Sequence, residues 1–216
     1  HRLQELNQLS RVPIRILEGD LLREEVYEKL EKLLREEAPD IRMLVNGAGF
    51  GKSGTVEDIL EEDKTAQAEM IELNCTALSR ITFCCLPCLS RGSRIIQMAS
   101  AAAFSPQPSF AVYAATKAYV LSFSRSLRAE LKRRGIYVTA VCPGPVDTEF
   151  FRVSGELDNP LKKLVKVRPQ GVVRKALLDS RAGKDISVYG LPMKCAHAAS
   201  KLLPHRLILA FMGGKP

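Results

Sequence analysis

The sequence predicts an α/β fold: a doubly wound parallel sheet in a single domain. Three observations carry that prediction. Short apolar runs alternate with longer segments of helical periodicity, the order expected of a parallel sheet covered by helices on both faces. Each of the first four runs ends in small, polar or turn-forming residues, "GD", "NGAGFG", "ASAAAFS" and "PGPVDT" in turn. No internal repeat or linker divides the 216 residues, a length that suits one domain with a sizeable core.

The elements follow in order. VPIRIL (12–17) reads as a strand stopped by EGD. Residues 22–38 form an amphipathic helix, with Val26, Leu30, Leu33 and Leu34 on one stripe. IRMLVN (41–46) is the next strand and runs into the glycine-rich GAGFGKSG. A helical stretch over 56–89 is expected in two pieces. RIIQM (94–98) is the third strand, and a Ser/Pro-rich loop separates it from a long helix over 110–134. IYVTAVC (136–142) is the fourth strand. A helix near 170–181, a short strand at ISVYG and a mostly apolar tail complete the chain.

Composition bounds the function. The formal charge is +8, unevenly placed. Residues 1–151 hold 19 Lys and Arg against 20 Asp and Glu, net −1, whereas residues 152–216 hold 13 against 4, net +9. A basic C-terminal quarter suits a solvated face or a phosphate-bearing partner. No aromatic ladder or zinc-finger spacing accompanies it, so nucleic acid is not an expected partner. No apolar run reaches the roughly 18 residues that span a bilayer. "KLLPHRLILAFM" in the tail has the make-up of a segment that rests on a lipid surface, so peripheral membrane contact is a further expectation. His1 stands where Met would open a chain, so the native start is expected upstream.

Cys85-x-x-Cys88 has the spacing of a redox pair or half a zinc site. No second CxxC and no HxxxH joins it, so no metal site is expected and the cysteines read as small core residues. Free thiols point to a reducing compartment, hence the cytoplasm.

In such sheets ligands gather beyond the carboxyl ends of the strands. Gly49-x-Gly51-x-x-Gly54 matches the dinucleotide fingerprint, but it lies on a middle strand with no well-placed acidic residue. The alternative takes LVNGAG as a unit whose glycines admit a flat ligand close to the backbone. Tyr113 and Lys117 are four apart in an apolar run, SFAVYAATKAYVLSF, and share a helix face. A phenol beside an ammonium is unusual on a buried face and useful for proton transfer. Tyr119 and Tyr137 lack such a lysine and read as core or rim.

Five segments taken together, "LVNGAG", "ELN" at 72–74, "RIIQMAS", "YAATK" and "VCPGPVDT", resemble the short-chain dehydrogenase/reductase family. They occur in the family's order, and Ser100 precedes Tyr113 by 13 residues, a typical interval. The resemblance implies a Rossmann-like catalytic domain over 1–190, with a substrate lid at 150–168 and a basic, apolar tail at 191–216. It implies an NAD(P)-dependent oxidoreductase that moves a hydride between the nicotinamide and a ketone or secondary alcohol. NAD and NADP stay open. Tyr113 would be the general acid/base, with its pKa drawn down from about 10 by Lys117. Lys117 would also hold the nicotinamide ribose, Ser100 would hold the substrate oxygen, and Asn74 would anchor a water that extends the proton relay. Asp20 matches the adenine contact; Asn46, Ala48 and Gly49 match the backbone beside the adenosine. The family's NNAG reads NGAG here. Pro143 and Gly144 turn the chain at the nicotinamide, and Thr148 matches its carboxamide contact. Phe150 and Phe151 suggest an apolar substrate, and a homo-oligomer is a family expectation.

One departure is large. The family opens on a strand, a T-G-x-x-x-G-x-G phosphate loop, a helix and a second strand, and these 216 residues contain no such motif. Without it, no helix N-terminus offers amides to the pyrophosphate. In the strand order 3-2-1-4-5-6, VPIRIL would then lie two places from its nearest neighbour, its backbone groups unpaired. Two readings stand: an incomplete record of an active oxidoreductase, or a non-catalytic binding or scaffold remnant of one.

Overall fold

In the computed structural model the described residues are 8, 10, 12–148, 150 and 167–212. Most of the expected lid, including Phe151, lies outside them. The elements run α1 (Glu24–Glu37), β1 (Ile41–Asn46), α2 (Val56–Glu62), α3 (Ala66–Ile71), a π-helical segment (Glu72–Ala77), α4 (Leu78–Cys85) and β2 (Leu89–Met98). Then come a 3-10 turn (Ala101–Phe104), α5 (Ala111–Leu131), β3 (Tyr137–Val141), α6 (Pro169–Arg181), β4 (Ile186–Ser187), α7 (Leu191–Leu202) and α8 (His205–Met212).

The four strands form one sheet in the order β1-β2-β3-β4, every pair parallel. Successive residues of β2 supply opposite faces, as a strand period of two requires. Ile95 packs with Val138, Leu127 and Leu131 beneath α5, while Ile96 packs with Val141, Val172 and Ala176 beneath α6. Burying a Val, Leu or Ile side chain contributes roughly 1.5–3 kcal/mol, so these two layers dominate the fold. They also fix β2 and β3 in register, Gln97 opposite Ala140 and Met98 opposite Val141. That register brings the ends of the two strands level, where the site lies.

Where the elements depart from expectation, long-range partners explain it. VPIRIL is not a strand. Residues 13–20 have no regular structure, and Val12, Ile16 and Leu17 are exposed. A strand needs a ladder partner for its amides, and none of the described strands pairs with this segment. Its described anchors are the Arg15–Glu37 ion pair at 2.5 Å and the Tyr27 phenol, which donates to Leu21 O at 2.6 Å. The helix expected in two pieces over 56–89 is broken further, by the turn at Asp63 and by the π-helical segment. The tail is not a free appendage. Met193 of α7 packs against the core, whereas Leu202, Leu203, Leu207 and Leu209 are exposed. No helix among the described residues is long and apolar enough to cross a membrane.

Candidate active site

Three connections at the carboxyl end of the sheet, together with the π-helical segment and α5, build the site. After β1, Asn46 turns its side chain inward. Its side-chain amide donates to Gln97 Oε1 at 2.8 Å and Thr82 Oγ1 at 2.9 Å, which ties the end of β1 to β2 and α4. Gly47, Ala48 and Gly49 follow, exposed along the cleft. A cleft of about 230 Å³ borders Leu21, Asn46, Gly47, Ala48 and Leu73.

Asn74 lies in the π-helical segment and is fully buried. Its Nδ2 donates to Phe50 O at 2.8 Å and Thr116 Oγ1 at 3.0 Å, while its Oδ1 accepts from Phe50 N–H at 3.0 Å. One side chain thus fastens the glycine loop to α5. Single-turn π segments recur at functional sites because they displace one side chain from helical register. The Asn74 side chain is a clamp on Phe50.

Tyr113 and Lys117 both face the interior of α5, 8% and 5% exposed. Lys117 Nζ donates to Met98 O at 2.9 Å and stands 5.6 Å from the centre of the Tyr113 ring. Burial lowers the Lys117 pKa to about 8, against the opposing pull of the Cys75 and Cys142 thiols. Burial also pushes the Tyr113 phenol up to about 12, and a hydrogen bond with the Ser100 side chain opposes the rise. The expected depression of the phenol pKa by Lys117 is therefore not found. The ammonium is turned to a carbonyl, and desolvation of the phenolate outweighs every other influence on it.

Ser100 follows β2 and caps the 3-10 turn, its Oγ accepting from Ala102 N–H at 3.1 Å. Ala101 N–H donates to Pro143 O at 2.9 Å, joining this turn to the Pro143–Gly144 turn after β3. Asn74, Ser100, Tyr113, Lys117, Gly49, Pro143 and Gly144 thus come together. Asp20 does not: it is exposed, and its Oδ1 accepts from Leu22 N–H at 2.9 Å in the turn before α1. Thr148 is exposed too, and its hydroxyl oxygen accepts from Phe150 N–H at 3.4 Å.

Two glycines show why the loop carries no side chains. A Cβ on Gly49 would stand 2.6 Å from Asn74 Oδ1 and 3.4 Å from Lys117 Nζ. Backbone here can approach the polar cluster only without a side chain. A Cβ on Gly51 would meet the rings of Phe150, Tyr113 and Phe110 at 2.8, 2.8 and 3.1 Å. The G-x-G-x-x-G match therefore serves ring packing at its second glycine rather than a phosphate. The aromatic wall is Phe110 stacked on Tyr113 at 4.3 Å with Phe150 at 5.4 Å. Tyr119 and Tyr137 are partly exposed rim residues, as expected.

Four residues escaped the sequence reading. Cys142 is fully buried and accepts from the Ser100 backbone N–H, and Cys75 neighbours Lys117. Met193 lies on Gly144, and His197 stacks on Phe104 at 4.4 Å. Nothing in their local spacing marks them, because each acquires its position from a segment distant in sequence.

The geometry fits the nicotinamide end of a dinucleotide. A bare glycine edge faces a buried amine, and a buried phenol and a hydroxyl lie beside it. The family model for the short chain dehydrogenases matches residues 1–158. A sulfoacetaldehyde reductase from Chromohalobacter salexigens is 33% identical over 160 residues, 70% of this chain and 62% of the relative. The chain therefore spans less than two thirds of the length of that relative. A short-chain dehydrogenase from Sphingobium yanoikuyae, solved in complex with NADPH, superposes with a TM-score of 0.75 at 26% identity. It is matched over 99% of this chain and 81% of its own. A short-chain dehydrogenase from Burkholderia cenocepacia in complex with NADP gives 0.74 at 25% identity, over 95% of this chain and 79% of its own. With the motifs in order, the fold shared and the family match covering most of its length, this chain belongs to the short-chain dehydrogenase/reductase family.

Proposed function

We propose that the chain serves an NAD(P)-dependent oxidoreductase acting on a ketone or secondary alcohol, with Tyr113 as general acid/base. The carrying observation is the buried contact of Tyr113 with Ser100, one helical turn from Lys117 at the carboxyl end of the sheet. Structures of relatives with NADPH and NADP support the cofactor class.

Ser100 holds the substrate oxygen and stabilises the charge that develops on it. Tyr113, protonated across the physiological range, donates its phenolic proton to that oxygen during reduction and takes it back during oxidation. Gly49 and Lys117 would hold the nicotinamide, which when bound would supply or accept the hydride. Lys117, with a pKa of about 8, shares its proton readily near neutrality and returns one toward the phenol. Asn74 keeps the loop that carries Gly49 against this pair. The wall of Phe110 and Phe150 favours an apolar substrate surface next to the phenol.

Titration with NADPH and NADH, followed by protein-to-cofactor fluorescence, tests the reading against the scaffold alternative. Binding of either, with its consumption on adding an aryl ketone, is the expected result. Absence of binding to both overturns it.

A further inference from the structure

Helix α7 reaches the site with one face. Met193 packs against the buried cluster that includes Ala99, Cys142 and Val188, and Phe104 packs against the same cluster. A Cβ on Gly144 would come within 2.5 Å of Met193 Sδ, so the thioether lies directly on the turn after β3. One helical turn on, on the same face, His197 stacks on Phe104 with ring centres 4.4 Å apart and planes at 27°. Phe104 ends the 3-10 turn that Ser100 caps. The two turns touched by α7 are joined to each other by Ala101 N–H and Pro143 O.

This arrangement is a clamp on short connections. A four-residue 3-10 turn has poor hydrogen-bond geometry and little stiffness of its own. The Ser100 hydroxyl is held on one side by Ala102 N–H and meets Tyr113 on the other. Its aim depends on where the turn sits, and Phe104 is the ring through which α7 fixes that. Burial keeps His197 toward its neutral form, with Lys201 and Arg125 acting in the same sense and Asp185 against it. The ring therefore packs on Phe104 as an aromatic plate.

We propose that α7 positions Ser100 for catalysis, with Met193 and His197 as the positioning residues. The inference rests on the reading of Ser100 as the group that holds the substrate oxygen. A displacement of about 1 Å at a reacting group costs on the order of 100-fold in rate, so a loosened turn should show mainly in kcat.

Two measurements on the full chain test it. The first is hydrogen exchange of the amides of residues 99–104 in the double variant Met193→Ala, His197→Ala. Exchange there should rise about tenfold or more, while peptides from α1 and β1 keep their rates. The second uses acetophenone as the carbonyl probe. In the same variant kcat should fall by about 10- to 100-fold, with the NADPH dissociation constant unchanged. His197→Phe, which keeps a flat ring on Phe104, should restore both readouts, and Cys195→Ser on the exposed side of α7 should alter neither. Unchanged exchange at 99–104 in the double variant overturns the clamp. So does equal loss in the His197→Ala and His197→Phe single variants. If the parent chain consumes no cofactor with any ketone, the proposed reaction fails, and the exchange experiment still decides whether α7 holds the turn.

Discussion

The centre of the sheet and its β1 edge are built differently. At β2 and β3 the strands are covered on both faces, and their ends are tied together by Asn74, Lys117, Ala101 and Pro143. At β1 the outer edge pairs with no described strand, and Met43 and Val45 are 43% and 53% exposed. The segment before α1 approaches that edge without a ladder. The end of the site proposed to move a proton is thus held by packing on both faces and by buried hydrogen bonds. The side expected to meet adenosine is an open cleft beside Gly47 and Ala48. Reactive groups sit where the hydrophobic layers are deepest because only packing and buried hydrogen bonds hold an ammonium and a phenol still.

Lys117 breaks the comparison most sharply, because it is a charge inside the tight region. Its folded pKa of about 8 lies below the ordinary lysine value of 10.5, so the unfolded chain binds the proton more tightly. The stability it contributes is full only above 10.5 and is lost as pH falls through 8. At neutral pH the residue therefore destabilises the fold. Lys117→Met should stabilise the fold by an amount on the order of 1–3 kcal/mol, seen as a higher melting temperature, and cut turnover by 100-fold or more. A lower melting temperature in this variant would mean that the Met98 carbonyl bond outweighs the burial cost. Asn74→Ala comes next. It leaves Phe50 N–H and O without their buried partner, so a loss of about 1–3 kcal/mol is expected, read by urea denaturation. Protease sensitivity in the loop 47–54 should rise with it. The smallest effects compare one substitution at the centre and at the β1 edge. Val138→Ala, at a fully buried position, should cost on the order of 1–3 kcal/mol, and Val45→Ala no more than about 0.5 kcal/mol. Similar losses at both positions would show that β1 is covered in solution.

Much of the tight region is legible in the sequence. The alternation of Ile95 and Ile96, the apolar register of α5 and the small residues after each strand are local patterns, and the four-residue spacing of Tyr113 and Lys117 puts both on one face. Features that depend on distant partners are not legible. VPIRIL has strand composition, but a strand also needs a neighbour, which composition cannot supply. The π-helical shift at Asn74 is set by Phe50 and Thr116, and the seat of Met193 by Gly144 nearly fifty residues earlier. The direction of the Tyr113 pKa is not legible for the same reason. Helical spacing places Lys117 nearby, but the Met98 carbonyl takes its ammonium and burial governs the phenol.

The most direct test of the account is single-turnover hydride transfer from NADPH to acetophenone by Tyr113→Phe beside the parent chain. The Phe ring keeps the stack with Phe110, so the fold and the cofactor dissociation constant should stay as they were. The rate should fall by about 100- to 10,000-fold through loss of the proton donor. Transfer at the parental rate would contradict the assignment of Tyr113 as general acid/base.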